Sequence, residues 1–311
     1  MSESKMTLPP APYDEEIDLS KWVRVLLAGK WLIIGITVAA TVIAVIVALM
    51  LPNIYRAEAL LAPNDPDSAG SLSSLAAQYG GLASLAGINL GGAGADKTAM
   101  GLEILKSRKF ISEFIVRHDL LVPLLAAEGW DAETGELIID PDDYDMATNK
   151  WIRRSSSSRS TMPSLQEAYE QFMKILSVIQ NSGSGFVSIS VRHYSPEVAK
   201  QWVDWLIDDL NAAIMHQDVA EAEQAIAYLH QQIASTSLAD LQGVFFSMIE
   251  EQTKTVMLAK ASNEYLLKTL DPAVAPEKKS GPKRAIIVIL GALLGGFLGV
   301  AIISVSNRHR Y

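Results

Sequence analysis

Residues Asp271–Gly299 read DPAVAPEKKSGPKRAIIVILGALLGGFLG. Three prolines and four cations come first, and an uncharged apolar run follows. Pro272, Pro276 and Pro282 continue neither helix nor strand, so they predict an extended, semi-rigid connector. The apolar run extends from Ala285 to Val305, and a second one lies at Trp31–Leu51. At 1.5 Å rise per residue each makes a helix about 30 Å long, the thickness of a bilayer's hydrocarbon core. Neither run has the polar stripe of a helix buried in a soluble domain. Both read as transmembrane helices.

These two runs organise the chain. The expected segments are 1–30 as a polar N-terminal piece, 31–51 as span 1, 52–284 as the main domain, 285–305 as span 2, and 306–311 as a tail. The first run is too long and too deep in the chain for a cleavable signal, and no small-x-small site follows it. Lys21, Arg24 and Lys30 precede span 1 and Arg56 follows it, a bias that holds the N-terminus in the cytoplasm. Lys278, Lys279, Lys283 and Arg284 before span 2 argue the other way. The first helix usually dominates and long loops cross largely regardless of charge. Both termini are therefore expected in the cytoplasm and residues 52–284 outside it. Lys283 and Arg284 can snorkel to the headgroups.

Both spans carry a row of small residues at four-residue spacing: Ala40, Ala44 and Ala48 in the first, Gly291, Gly295 and Gly299 in the second. Such rows let membrane helices approach closely. They predict packing of the spans on each other or on neighbouring copies.

Between the spans, "NIYRAEALLAP" alternates and predicts a strand at Tyr55–Leu61. The Gly, Ser and Ala-rich residues after it are too small to build a core and predict a mobile segment. A helical face runs from Thr98 to His118, with a break near Ser107. The acids of 131–145 and "RRSSSSR" read as solvated loop. Ser164 and Glu167 form a capping box for a helix through "SLQEAYEQFMKILSV". "GFVSISV" reads as a strand. Ser195 as N-cap and Pro196 at N1 then start a long helix. Nothing interrupts it up to about Ser235, which gives roughly 60 Å. A helix of that length needs a partner outside any one small core. A return helix over Leu238–Ala261 and a strand at Tyr265–Leu270 complete the domain. The expected fold class is α+β: two transmembrane helices flank a domain with a small α/β base and a long projecting helical arm.

Several stretches resemble the Wzz chain-length-determinant family, the polysaccharide co-polymerases. "DEEIDLSKWVRVLLAGKWLI" is similar to that family's approach to its first span, and "PNIYRAEALLAP" to the strand that follows. "GGLASLAGI" with "LEILKSRKFISEFI" resembles the next segment. "AEQAIAYLHQQIAST" and "MLAKASNEYLLKTLDPAVAPEKKSGPKR", followed by the glycine-spaced span, resemble its C-terminal half. The likeness covers most of the chain except roughly 125–160. It implies a non-enzymatic protein of the bacterial inner membrane that assembles into rings and projects into the periplasm. It implies as partners the chain itself, membrane lipid, a Wzy-type polymerase and a lipid-linked polysaccharide such as O-antigen. Gln224, Gln231 and Gln232 on the long helix are then candidate glycan or polymerase contacts. An alternative is a capsule or exopolysaccharide export subunit working with a separate tyrosine kinase and an outer-membrane channel.

The residues favour no enzyme, and no catalytic residue, cofactor or metal site is expected. "GGAGADKT" (Gly91–Thr98) misses the glycine a phosphate loop needs before its lysine and places Asp96 there instead. The chain has five histidines, none in a metal-binding spacing, and no cysteine. No G-x-S-x-G motif occurs. A glycosidase would need a carboxylate pair in a cleft, which the sequence does not define. No nucleic-acid partner is expected for a chain of net charge -9.

Overall fold

The computed structural model describes residues 30–64, 93–153, 161–235 and 239–308. The N-terminal segment, the Gly/Ser/Ala-rich stretch, most of "RRSSSSR" and the last three residues lie outside them. The described residues form two compact units: those up to Leu51 with those from Pro282, and Pro52–Gly281.

The first unit is a helix pair. α1 (Lys30–Met50) and α8 (Arg284–Arg308) pack on each other. Both are long and apolar enough to cross a membrane, with mean hydropathy 2.9 over Lys30–Met50 and 2.8 over Arg284–Ile303. Their outward side chains are apolar and bare, Trp31 and Phe297 among them.

The second unit is built on a four-stranded antiparallel sheet of order β6-β7-β1-β8. β1 (Tyr55–Pro63) lies inside it. It pairs with β7 (Val187–His193) in the register Tyr55↔His193 to Leu61↔Val187, and with β8 (Leu267–Asp271) across a bulge at Leu60/Leu61. The alternation of β1 puts Ala57, Ala59 and Leu61 in the core and Arg56, Glu58 and Leu60 on the open face. β6 (Leu176–Gln180) closes one side as a hairpin with β7. Gly185, at φ +74°, makes that turn, and its N–H donates to the Asn181 carbonyl at 2.8 Å.

The covered face of the sheet meets the foot of α6 (Pro196–Ser235), 40 residues and so about 60 Å long. Ser195 caps it, accepting the Val198 N–H at 3.4 Å. Ala199, Trp202, Val203, Leu206, Leu210 and Ile214 are buried in the core. Beyond Ile214 only Ala222 and Leu229 are buried. There the helix runs beside α7 (Ala239–Ala261), and Lys260 reaches Glu223 at 3.1 Å. The arm is therefore packed at its root and carried by one companion helix further out.

On the other flank lie α2 (Ala93–Lys106), α3 (Arg108–Arg117), α4 (Leu121–Leu125) and α5 (Leu165–Ile175). Ser107 breaks α2 from α3 and caps the latter, accepting the Phe110 N–H at 3.2 Å. Ser164 caps α5 through the Glu167 N–H at 3.2 Å, while the Glu167 carboxylate holds Arg153 by two bonds of 2.5 and 2.8 Å.

Two elements depart from the sequence reading. The helix expected through Val178 stops at Ile175, and the next five residues are β6. The segment expected as loop holds two small hairpins, β2 (Ala127–Trp130) with β3 (Leu137–Ile139), and β4 (Tyr144–Asp145) with β5 (Lys150–Trp151). Asp131 and Asp145 fold those turns, and Asp140 the link between the hairpins, by accepting nearby backbone N–H groups, which explains the acids without calling on a ligand.

Candidate functional site

The small residues of the helix pair meet along one seam. A Cβ added at Gly295 would stand 2.6 Å from the Ala40 Cβ and 3.0 Å from the Thr37 Cα. One at Gly299 would stand 3.1 Å from the Ile33 Cα, and one at Gly291 would overlap the Ala44 methyl. A side chain at Gly291 or Gly295 would force the helices apart, and one at Gly299 would press on the Ile33 backbone. Ala48 is buried as well. The hydroxyls beside the seam turn back on their own helix, Thr37 to the Ile33 carbonyl at 2.9 Å and Thr41 to the Thr37 carbonyl at 2.7 Å. No polar group is then left facing hydrocarbon there. Arg284 donates to the Leu51 carbonyl at 3.3 Å, closing the free C-terminus of α1.

The connector after β8 is neither helix nor strand at Pro272 and Pro276. It is tied down near its end. Ile54 donates to the Gly281 carbonyl at 2.9 Å, and Ser280 donates to the Ile54 carbonyl at 2.8 Å. The residues that lead out of α1 and into α8 are thus held together. Pro282 is the first residue of the connector in the helix-pair unit.

Gln224 and Gln231 are exposed on the outer half of α6, and Gln232 is half-buried. Gln224 and Gln231 are seven residues apart and share a face. Among the described residues of the sheet unit, no hydrogen bond or ion pair links the side chains of these glutamines to Pro272 or Pro276.

Sequence reasoning passed over the polar groups that bind the arm to the base. Lys97 on α2 meets Asp218 on α6 at 2.6 Å and the Tyr265 hydroxyl at 3.1 Å, and Tyr265 donates to Asp218 at 2.7 Å. Burial pulls the Lys97 ammonium down, but Asp218 and Tyr265 together hold it above its ordinary value. Burial, then the bond to Asp218, raises the Tyr265 phenol. Asp209 takes Arg117 at 2.9 Å and His118 at 3.0 Å, and the His118 ring stacks on Trp205 at 4.2 Å. His193 ends β7 with both ring nitrogens engaged. Nε2 donates to the Pro123 carbonyl at 3.0 Å, and Nδ1 accepts the Ser195 N–H at 3.1 Å. Burial holds this imidazole below its usual pKa, with the Pro123 bond opposing in part. Tyr265 opens the expected strand, but Asp218 lies in the middle of the long helix, where a polar residue reads as solvent-facing, so residue order does not pair them.

Among the described residues no group of three or more His, Cys, Asp or Glu is placed to hold a metal ion.

Residues 15–118 match the family described as "Wzz: Chain length determinant protein". Residues 240–307 match one described as "G-rich domain on putative tyrosine kinase". No curated protein matches the sequence at a significant level. Among solved structures, a full-length bacterial polysaccharide co-polymerase aligns over 95% of this chain and 98% of its own, at 16% identity and a TM-score of 0.39. A fragment of WzzB, the polysaccharide co-polymerase of Salmonella Typhimurium, aligns over 74% of this chain and 100% of its own, at 12% identity and a TM-score of 0.27. The first family match takes in α1, β1, α2 and α3, and the second takes in α7, β8, the connector and α8. Over residues 15–118, about a third of the chain, this protein is thus similar to the Wzz chain-length-determinant family.

Proposed function

We propose that this chain is a non-enzymatic, homo-oligomeric regulator of polysaccharide chain length. It acts on a lipid-linked glycan of the O-antigen kind, together with a Wzy-type polymerase. It sits in the bacterial inner membrane with both termini cytoplasmic and the sheet and arm in the periplasm. The observation that carries this reading is the chain-length-determinant match over the first span and the strand after it.

The physical account runs through multiplicity. One arm offers weak contacts, among them Gln224, Gln231 and Gln232, to a passing glycan or to the polymerase. Several copies around a common axis raise the effective concentration of those contacts without strengthening any one of them. The seam of Ala40, Ala44 and Ala48 against Gly291, Gly295 and Gly299 keeps the two spans of a copy together. Pro272, Pro276 and Pro282 stiffen the return to the membrane. The chemistry of bond formation belongs to the polymerase.

Deleting the gene and resolving surface polysaccharide on a gel tests this. The modal band cluster disappears and short, random chains remain; an unchanged ladder contradicts it. The match of residues 240–307 to a domain found on putative tyrosine kinases favours a second reading, a capsule or exopolysaccharide export subunit with a separate kinase. Affinity purification of the tagged chain separates the two, by recovering a polymerase or a tyrosine kinase.

A further inference from the structure

The open face of the sheet holds an unfavourable pair. Arg56 on β1 and Arg192 on β7 are direct cross-strand partners, and both are exposed. Directly opposed residues in an antiparallel pair have their Cβ atoms about 5 Å apart, and like charges there destabilise the sheet. Nothing in the packing asks for them, because the core is built from the other face. Ser188 and Ser190 follow Arg192 back along β7; Ser190 is buried, its hydroxyl donating to the Ser177 carbonyl at 3.5 Å, and Ser188 is half-buried. Each guanidinium is oriented but far from saturated. Arg56 gives Nη2 to Glu58 at 3.0 Å, and Arg192 gives Nη2 to the Lys174 carbonyl at 2.5 Å. A guanidinium has five N–H donors, so most of each fork is left for another acceptor. Glu58 offsets one of the two charges, which leaves the pair positive in a chain of net charge -9.

Arg56 follows Leu51 by five residues, a chain reach of at most about 18 Å. The headgroup layer itself extends roughly 5–8 Å beyond the hydrocarbon.

We propose that Arg56 and Arg192 form a phosphate-binding pair for phosphate carried at the membrane surface. Two adjacent forks suit the paired oxygens of a phosphodiester or a pyrophosphate, and such charge-assisted, bidentate contacts are the strong ones. The donor of that phosphate is either a lipid headgroup or the pyrophosphate of a polyprenyl-linked glycan. The site stands whether or not the chain sets glycan length.

The test uses the purified full chain in dodecyl maltoside, which contains no phosphate. It is titrated with dihexanoyl phosphatidylglycerol or with farnesyl pyrophosphate, and the ³¹P chemical shift is followed. The wild-type chain shifts at least one probe, and the effect weakens with added salt. R56Q/R192Q weakens that binding about a hundredfold, roughly tenfold per lost charge-assisted contact. R56K/R192K falls between the two, and K268Q on the edge strand changes nothing. Binding of the pyrophosphate alone assigns the glycan carrier, binding of phosphatidylglycerol alone assigns the headgroup, and binding of both assigns phosphate without regard to source. Thermal unfolding of R56Q/R192Q stays level or rises, because an opposed like-charge pair has gone. Wild-type indifference to both probes overturns the proposal. So does undiminished binding by the double variant, or a fall in its unfolding temperature that R56K/R192K restores without restoring binding.

Discussion

Asn211 and Leu267 exchange two hydrogen bonds across the root of the arm. The Leu267 N–H donates to Asn211 Oδ1 at 2.9 Å, and Asn211 Nδ2 donates to the Leu267 carbonyl at 3.1 Å. The Leu266 N–H joins the same oxygen at 2.8 Å. Asn211 is 2% exposed, on the buried stripe of α6. The side chain thus behaves as an extra strand end. It supplies the backbone partners that β8 would otherwise lack where it begins.

Replacing Asn211 with Leu keeps the branched outline of the side chain and orphans these groups. A buried donor or acceptor without a partner costs about 1–3 kcal/mol. N211L should therefore lower stability by at least about 2 kcal/mol, read by urea unfolding of the full chain in detergent. A loss below about 0.5 kcal/mol would mean that water replaces the amide and that the junction does not depend on it.

The helix pair should resist any side chain in its seam. In this cysteine-free chain, T37C/G296C places two unique thiols at a point where a Cβ on residue 296 would lie 3.8 Å from the Thr37 hydroxyl. Oxidation should link them within one chain. Adding G295L forces overpacking worth roughly 1–3 kcal/mol and should cut the yield about tenfold or more. Equal yields with and without G295L would show that the seam is not a close contact in lipid.

His193 makes stability depend on pH. Its folded pKa lies below the ordinary value of 6.5 because burial favours the neutral ring. Below pH 6.5 the unfolded chain binds a proton that the folded chain refuses, so stability falls as pH falls. The slope approaches about 1.4 kcal/mol per pH unit until the folded pKa is reached. Above 6.5 this contribution is complete and flat. H193N should lose that acid slope by about one proton's worth. Wild type and H193N with parallel pH curves would refute the assignment.

Tyr265 should couple to Lys97 through Asp218. Y265F removes two hydrogen bonds and should cost about 1 kcal/mol, as should K97M. The double variant should cost less than the sum, with a coupling of about 0.5 kcal/mol or more. Strict additivity would show that Lys97 and Tyr265 act independently.

Much of this architecture was legible from residue order. The spans follow from two long uncharged runs. The break at Ser107 follows from a good N-cap inside a helical pattern, and the arm from forty residues without glycine or an internal proline. β6 was hidden for a physical reason. The helix passes directly from Ile175 into the strand at Leu176, with no glycine or proline at the junction, so the helical period runs on into the strand. The signal that reveals it is the turn "NSGSG" between "LSVIQ" and "GFVSISV", a hairpin by composition. The two small hairpins were masked by acids that turn out to cap their own turns. Asn211 was visible as a polar residue on an apolar stripe, but its partners lie 55 and 56 residues away, and a one-dimensional pattern cannot name them. The Arg56–Arg192 pairing needs the strand register, which only the folded sheet supplies.

The most direct test of the central claim is reconstitution. Purified polymerase and lipid-linked repeat units are combined in liposomes with and without this chain, and product lengths are read by gel. The account predicts a broad, short distribution without it and a narrow modal cluster with it, at unchanged rate of linkage formation per polymerase. Identical length distributions in the two reactions would contradict it.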